Sequence, residues 1–141
     1  MRNYHFSANS LLPVCILCLV VAGCSGGDHP KRYRLTGAIT FDGKPVPSGW
    51  IIFAPEHGPG ASANIEGGRY ETPEGFGSIG GMHTIEVFGF DGVSAPDPNV
   101  EGAVNTAGKA MFTYTFKKDI PKETTTWDIH ISRDDLQRQS R

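Results

Sequence analysis

From Tyr33 onward the chain runs in short stretches that alternate apolar and polar side chains, with glycines and prolines between them. In "YRLTGAITF", Tyr33, Leu35, Ile39 and Phe41 fall on one face, and Arg34, Thr36 and Thr40 on the other. A period of two is the signature of a half-buried strand, because successive side chains of an extended chain point to opposite faces. The stretch ends at Asp42-Gly43, a strong hairpin-turn pair. "GWIIFAP" is a continuous apolar run and reads as a buried strand. "ASANIEGGRYETP" reads as two short strands about a turn at Glu66-Gly67-Gly68. "MHTIEVFGF" turns Ile85 and Val87 inward and Thr84 and Glu86 outward. "KAMFTYTFKK" puts Phe112, Tyr114 and Phe116 on one face, and "TTTWDIHIS" turns Trp127, Ile129 and Ile131 inward, with Asp128 and His130 outward. That makes seven strands. No segment shows a helical period, and the closing "RDDLQRQSR" is expected to form at most a frayed turn.

The fold expected from this pattern is all-β, a seven-stranded antiparallel Greek-key sandwich that buries one face of each strand. The order of the motifs carries a resemblance. "LTGAITFDGKPVPSGWIIFAPE" resembles the opening of the carboxypeptidase-regulatory-like, or transthyretin-like, domain. "GGRYETPEG" followed by "GGMHTIEVFGFDG" is similar to its middle, and "IPKETTTWDIHIS" to its closing strand in small bacterial lipoproteins. Each motif is only a turn or a strand face, but their order spans residues 33–132. The resemblance implies a prealbumin-like sandwich and implies no activity.

The N-terminus carries a second signal. "MRNYHFSANS" has one charge, at Arg2, and "LLPVCILCLVVAG" is almost wholly apolar. A charged segment, a short apolar run and a small-residue exit make a secretory signal. The run is too short for a permanent membrane helix, which needs about 20 residues. Its ending, Val21-Ala22-Gly23-Cys24, resembles the bacterial lipobox, in which the cysteine sulfur receives a diacylglycerol and the chain is cut just before it. The predicted organisation is a lipoprotein signal peptide over 1–23, a flexible tether over 24–32, the β domain over 33–132 and a polar tail over 133–141. Removing the signal also removes Cys15 and Cys18, leaving Cys24 as the one cysteine. A lone free thiol in an oxidising compartment invites intermolecular disulfides, and acylation removes that hazard. Two or three acyl chains also hold a protein stably on a membrane.

Charge excludes one class of partner. Loss of Arg2 takes the chain from 13 basic and 15 acidic residues to 12 and 15, a net −3. Nucleic-acid binding demands a basic patch, so none is expected. The β domain is near 100 residues, one domain, large enough to bury a core without disulfides.

The candidate chemistry is sparse. His29, His57, His83 and His130 have no zinc-ligand spacing and no cysteine to help them. Asp91, Asp97, Asn99 and Glu101 crowd "GFDGVSAPDPNVEG", where oxygen ligands suit calcium, but the spacing is not that of an EF-hand and the pairs are ordinary turn chemistry. Ser78 sits in "FGSIGG" without a nucleophile-elbow spacing or an assignable base. Hydroxyisourate hydrolases of the transthyretin-like group use histidines, an arginine and a Tyr-Arg-Gly-Ser ending, whereas this chain ends "LQRQSR". Trp50 and Trp127 fall on or beside core-facing positions and are expected to fill the core rather than stack on sugar rings. The segment Gly89–Lys109 is expected to be a long exposed loop and the place of partner contact.

The expected function is a non-catalytic binding or scaffolding module of the cell envelope. It is exported, held on the membrane through lipidated Cys24, and without cofactor or metal; its partner is an envelope protein or a glycan. The alternative is a small hydrolase or a metal-binding accessory protein of the transthyretin-like group, which a concave cluster of inward-pointing His, Asp or Glu would favour. The anchoring expectation has a direct measurement. Cys24→Ala should abolish incorporation of labelled fatty acid and leave the leader uncut at this site.

Overall fold

The strands form where the alternation places them. A computed structural model describes residues 30–96 and 104–141, with side chains described for 30–94 and 105–141. Strand β1 (Leu35–Phe41) buries Leu35 and Ile39 on one face. It turns through Asp42 and Gly43, at φ 48° and 76°, into β2 (Lys44–Pro45). Two consecutive positive-φ residues are what a tight antiparallel hairpin requires, and Asp-Gly supplies them at low steric cost. β3 (Ser48–Pro55) and β4 (Ala61–Glu66) follow, and a second such turn at Gly67-Gly68, φ 56° and 81°, leads into β5 (Arg69–Glu71). The long strands are β6 (Gly81–Phe90) and β9 (Ala110–Ile120), with β7 (Ala95–Pro96) and β8 (Val104–Asn105) between them. β10 (Thr125–Thr126), β11 (Ile129–Ile131) and helix α1 (Arg133–Gln139) close the chain.

Hydrogen bonding joins nine of these strands into one sheet in the order β10-β1-β5-β4-β3-β6-β9, with β2 and β11 also on β1; β7 and β8 pair separately. The pairs are antiparallel except those of β1 with β10 and β11, which are parallel. The protein is therefore all-β in its main layer. The sheet curls: β1 and β9 lie far apart in the strand order, yet the ring of Phe41 stacks on that of Phe112 at 4.5 Å. Phe116 meets Trp127 edge-on at 5.8 Å. Inside the curl lie Leu35, Ile39, Ile51, Phe53, Ile65, Ile85, Val87 and Ile129, all buried, within one compact unit spanning Lys31–Arg141.

Two expectations need correction. The run "GWIIFAP" is not buried on both faces. Gly49, Ile51 and Phe53 point inward, while Trp50 is 38% exposed and Ile52 half-buried. A single sheet layer gives a central strand one dry face, so the continuous apolar run splits by period two like its neighbours. The C-terminal segment is a capped helix rather than a frayed turn. The Ser132 hydroxyl accepts from the Asp135 amide, and the Asp135 carboxylate accepts from the Ser132 amide. Ser-Arg-Asp-Asp is a capping box written in the sequence. Leu136 packs on the core, and the Gln139 side-chain amide both accepts from Thr115 N (3.3 Å) and donates to Thr115 O (2.9 Å). That pairing occupies part of the open edge of β9, which an unpaired strand would otherwise offer to another chain.

The interior makes a quantitative expectation. Phe53 is fully buried, with the Tyr70 ring 5.9 Å away. Phe53→Ala should destabilise the fold by about 3–5 kcal/mol in urea denaturation, because the surrounding strands are fixed by ladder bonds and collapse only partly onto the cavity.

Candidate functional site

The outer face of the sheet divides into two neighbouring regions. At one end of β3 and β6, Trp50 stands opposite Phe88, and Ser48 opposite Phe90. The Trp50 ring lies 5.2 Å from that of Phe88 and 4.9 Å from that of Phe90. These three rings sit on the solvent side because their inward neighbours are Gly49, Ile51, Val87 and Gly89. Core filling was the expectation for Trp50; strand parity places it outside instead. Trp127 does pack against the core, as its parity predicts.

Across β4, Asn64 is the direct cross-strand partner of Trp50. It begins a polar groove of about 760 Å³ lined by Thr36, Asn64, Glu66, Arg69, Glu71 and Asp128, among others. Glu71 pairs with Arg34. Asp128 accepts from the Ala38 amide at 2.8 Å, filling a break in the ladder between β10 and β11. At the floor, the Tyr70 hydroxyl donates to the Trp127 carbonyl at 2.9 Å. Burial first, and then the nearby Asp128 charge, push the Tyr70 phenol well above its usual value. Tyr70 is thus held protonated and serves as a structural donor.

The two chemistry-bearing residues brought together are Ser78 and His83. His83 Nδ1 lies 2.8 Å from the Gly81 carbonyl, which only accepts, so Nδ1 carries the proton. Nε2 then accepts from the Ser78 hydroxyl at 3.1 Å, and the Ser78 oxygen accepts from the Gly80 amide at 2.9 Å. The arrangement has the geometry of a nucleophile and its base. Ser78 and His83 are 1% and 0% exposed, however, so no substrate carbonyl reaches the oxygen. The pair satisfies buried polar atoms where the Tyr33–Ser78 bridge meets β6. Sequence reasoning assigned Ser78 no base; the signal available was the five-residue spacing to an inward-facing strand histidine.

The remaining candidates stay apart. His57 is exposed in the loop after β3, and His130 is exposed and bonded to the Thr40 hydroxyl at 2.8 Å. Among the described residues no group of three His, Cys, Asp or Glu is placed to hold a metal ion. Cys24, His29, Asp97, Asn99 and Glu101 lie outside the described residues. Likewise, among the described residues no helix is long and apolar enough to cross a membrane.

The segment expected to be a loop is a hairpin at its base. β6 runs on to Phe90, and Ala95–Pro96 pairs with Val104–Asn105. Asp91 Oδ1 accepts from the amides of Val93 (3.0 Å) and Lys109 (2.9 Å), and Asn105 Oδ1 from those of Ala107 (3.1 Å) and Gly108 (3.3 Å). The two amides donating to Asp91 hold its carboxyl below the usual carboxylate range.

Compared with known proteins, the chain matches no family model, no curated protein and no solved structure.

The lowered Asp91 carboxyl sets a pH dependence. A carboxylate favoured by the fold contributes stability above its unfolded value, about 3.9, and loses it as pH falls through the lower folded value. The protection factors at Val93 and Lys109, with the intrinsic pH dependence of amide exchange divided out, should therefore fall as the pH drops below about 4. Asp91→Ala should show the same loss of protection at neutral pH, measured by NMR against unchanged protection in β3.

Proposed function

We propose that this chain is a non-catalytic, lipid-anchored protein of a bacterial cell envelope whose β domain is a glycan-binding module. On this reading the curled sheet is a version of the seven-stranded prealbumin-like sandwich of the carboxypeptidase-regulatory-like group. In support, the described strands of three or more residues are β1, β3, β4, β5, β6, β9 and β11, one for each expected segment.

The observation that carries the functional reading is the outward stack of Trp50, Phe88 and Phe90. Trp50 is 38% exposed, on the outer face of the sheet. The apolar C–H face of a sugar ring packs well on such a ring, and Asn64 and the groove beyond it offer donors and acceptors to hydroxyls. The mixture of Glu66, Arg69, Glu71 and Asp128 in the groove presents both signs of charge, which suits a polyhydroxylated ligand better than a strongly ionic one. Burial of Ser78 and His83 counts against the hydrolase alternative.

The test is a titration of the lipidated protein with soluble cell-wall glycan fragments. Trp50→Ala should weaken binding about tenfold, close to the 1.4 kcal/mol that one stacked ring supplies. The melting temperature should fall by several degrees, from the lost stacking on Phe88 and Phe90, while the far-UV circular dichroism of the sheet stays that of wild type. Equal affinity in both proteins would remove the aromatic stack from the binding surface.

A further inference from the structure

The end of the domain that receives the tether differs from the opposite end in what it exposes. The Arg32 guanidinium donates to the carbonyls of Gly60 (3.0 Å) and Gly77 (3.1 Å), and Tyr33 and Ser78 exchange backbone bonds at 2.7 and 2.9 Å. Lys31 lies over the Tyr33 ring. These contacts seat the start of the domain against the loop that precedes β6. That loop carries Phe76, which is 65% exposed, and β6 opens with Met82, which is 43% exposed. Between Phe76 and β3 runs an apolar groove of about 450 Å³ lined by Ile52, Ala54, Ala61 and Pro73. Two large apolar side chains and an apolar groove thus cluster where the tether joins the sheet.

The length of the tether decides what faces them. Cys24 and Lys31 are seven residues apart, through Ser-Gly-Gly-Asp-His-Pro. Seven residues span at most about 25 Å. The ten-residue strand β6 alone is about 34 Å long. A lipid on Cys24 therefore keeps the Lys31 end within about 25 Å of the bilayer, while the length of β6 lets the Phe90 end stand clear of it.

We infer that Phe76 and Met82 form a membrane-contact rim, which rests the tethered end of the domain on the bilayer that holds the anchor and leaves the Phe88–Phe90 end of the sheet, with the Trp50 stack, away from it. The inference depends on the anchoring of Cys24 proposed above. Charges at this end are of both signs, with Lys31, Arg32, Lys117, Lys118 and Lys122 against Glu56, Glu74, Asp119 and Glu123. The contact is therefore carried by apolar side chains, and salt changes it little.

The experiment uses the mature lipidated protein in phosphatidylethanolamine–phosphatidylglycerol vesicles. Acylated Cys24 has no free thiol, so Phe76→Cys and Val93→Cys each introduce one site for an environment-sensitive fluorophore. Val93 is 63% exposed and follows β6 at the far end, so neither replacement disturbs the core. The label at position 76 should shift to the blue and be quenched by brominated lipid, in low and high salt alike. The label at position 93 should be quenched by aqueous iodide only. Equal behaviour of the two labels, with Cys24 acylation verified by mass on the same sample, overturns the rim while leaving the anchor intact. Absence of acylation on Cys24 overturns the anchor, and the rim with it.

Discussion

A single sheet has two faces, and a domain of this size needs one of them dry. The curl that brings β1 against β9 meets that need, and the rest of the structure depends on it. Phe41 on Phe112 joins β1 to β9, and Phe116 on Trp127 joins β9 to the segment between β10 and β11, so both contacts link the two sides of the sheet order. Their rings close the opening that the ladder bonds leave. Closure also dictates a local detail: a Cβ on Gly37 would stand 1.9 Å from the Trp127 carbonyl oxygen. Only a residue without a side chain lets the segment between β10 and β11 lie this close to β1, where Tyr70 then finds its acceptor.

Once the inner face is filled, the outward residues are released from packing. Most of them are polar, as solvent-facing strand positions usually are. Trp50, Phe88 and Phe90 break that pattern in adjacent strands. Three large rings on the wet face are not needed for the core, and they stabilise one another through offset stacking. The inward polar residues show the reverse economy. His83, Ser78 and Thr72 are buried, and each has its hydrogen-bond partner; among the described residues no buried side-chain polar atom lacks one. The nucleophile-like pair is therefore a way of satisfying polar atoms at the seam between Tyr33 and β6.

The two ends of the sheet are built by different means. At the Lys31 end the chain is held by a guanidinium on two carbonyls and by one isolated bridge. At the Phe90 end, Asp91 and Asn105 close the hairpin by accepting backbone amides that no strand partner reaches. The edge of β9 is tempered by Gln139, whose amide imitates the donor and acceptor of a neighbouring strand. Apart from the Tyr33–Ser78 bridge, each device is a side chain bonded to backbone that a neighbouring strand does not reach.

Local order was readable from residue patterns. The faces of β1, β6, β9 and β11 follow from parity, and the two tight turns from Asp42-Gly43 and Gly67-Gly68, because backbone sterics act over two or three residues. The capping box at Ser132 was also present in the sequence, though a seven-residue helix has too short a period to stand out. Parity alone could not say which face of "GWIIFAP" is inward, since both of its faces are apolar; the neighbours β4 and β6 decide that, and with it the exposure of Trp50. Nor does spacing reveal that Asn64 stands beside Trp50. That is a cross-strand relation, set by register and curl. The sequence by itself determined the strands and their turns, while the closure of the sheet, the choice of wet face and the residues gathered on it were decided only by tertiary structure, because burial is a property of the packed sheet and not of any one segment.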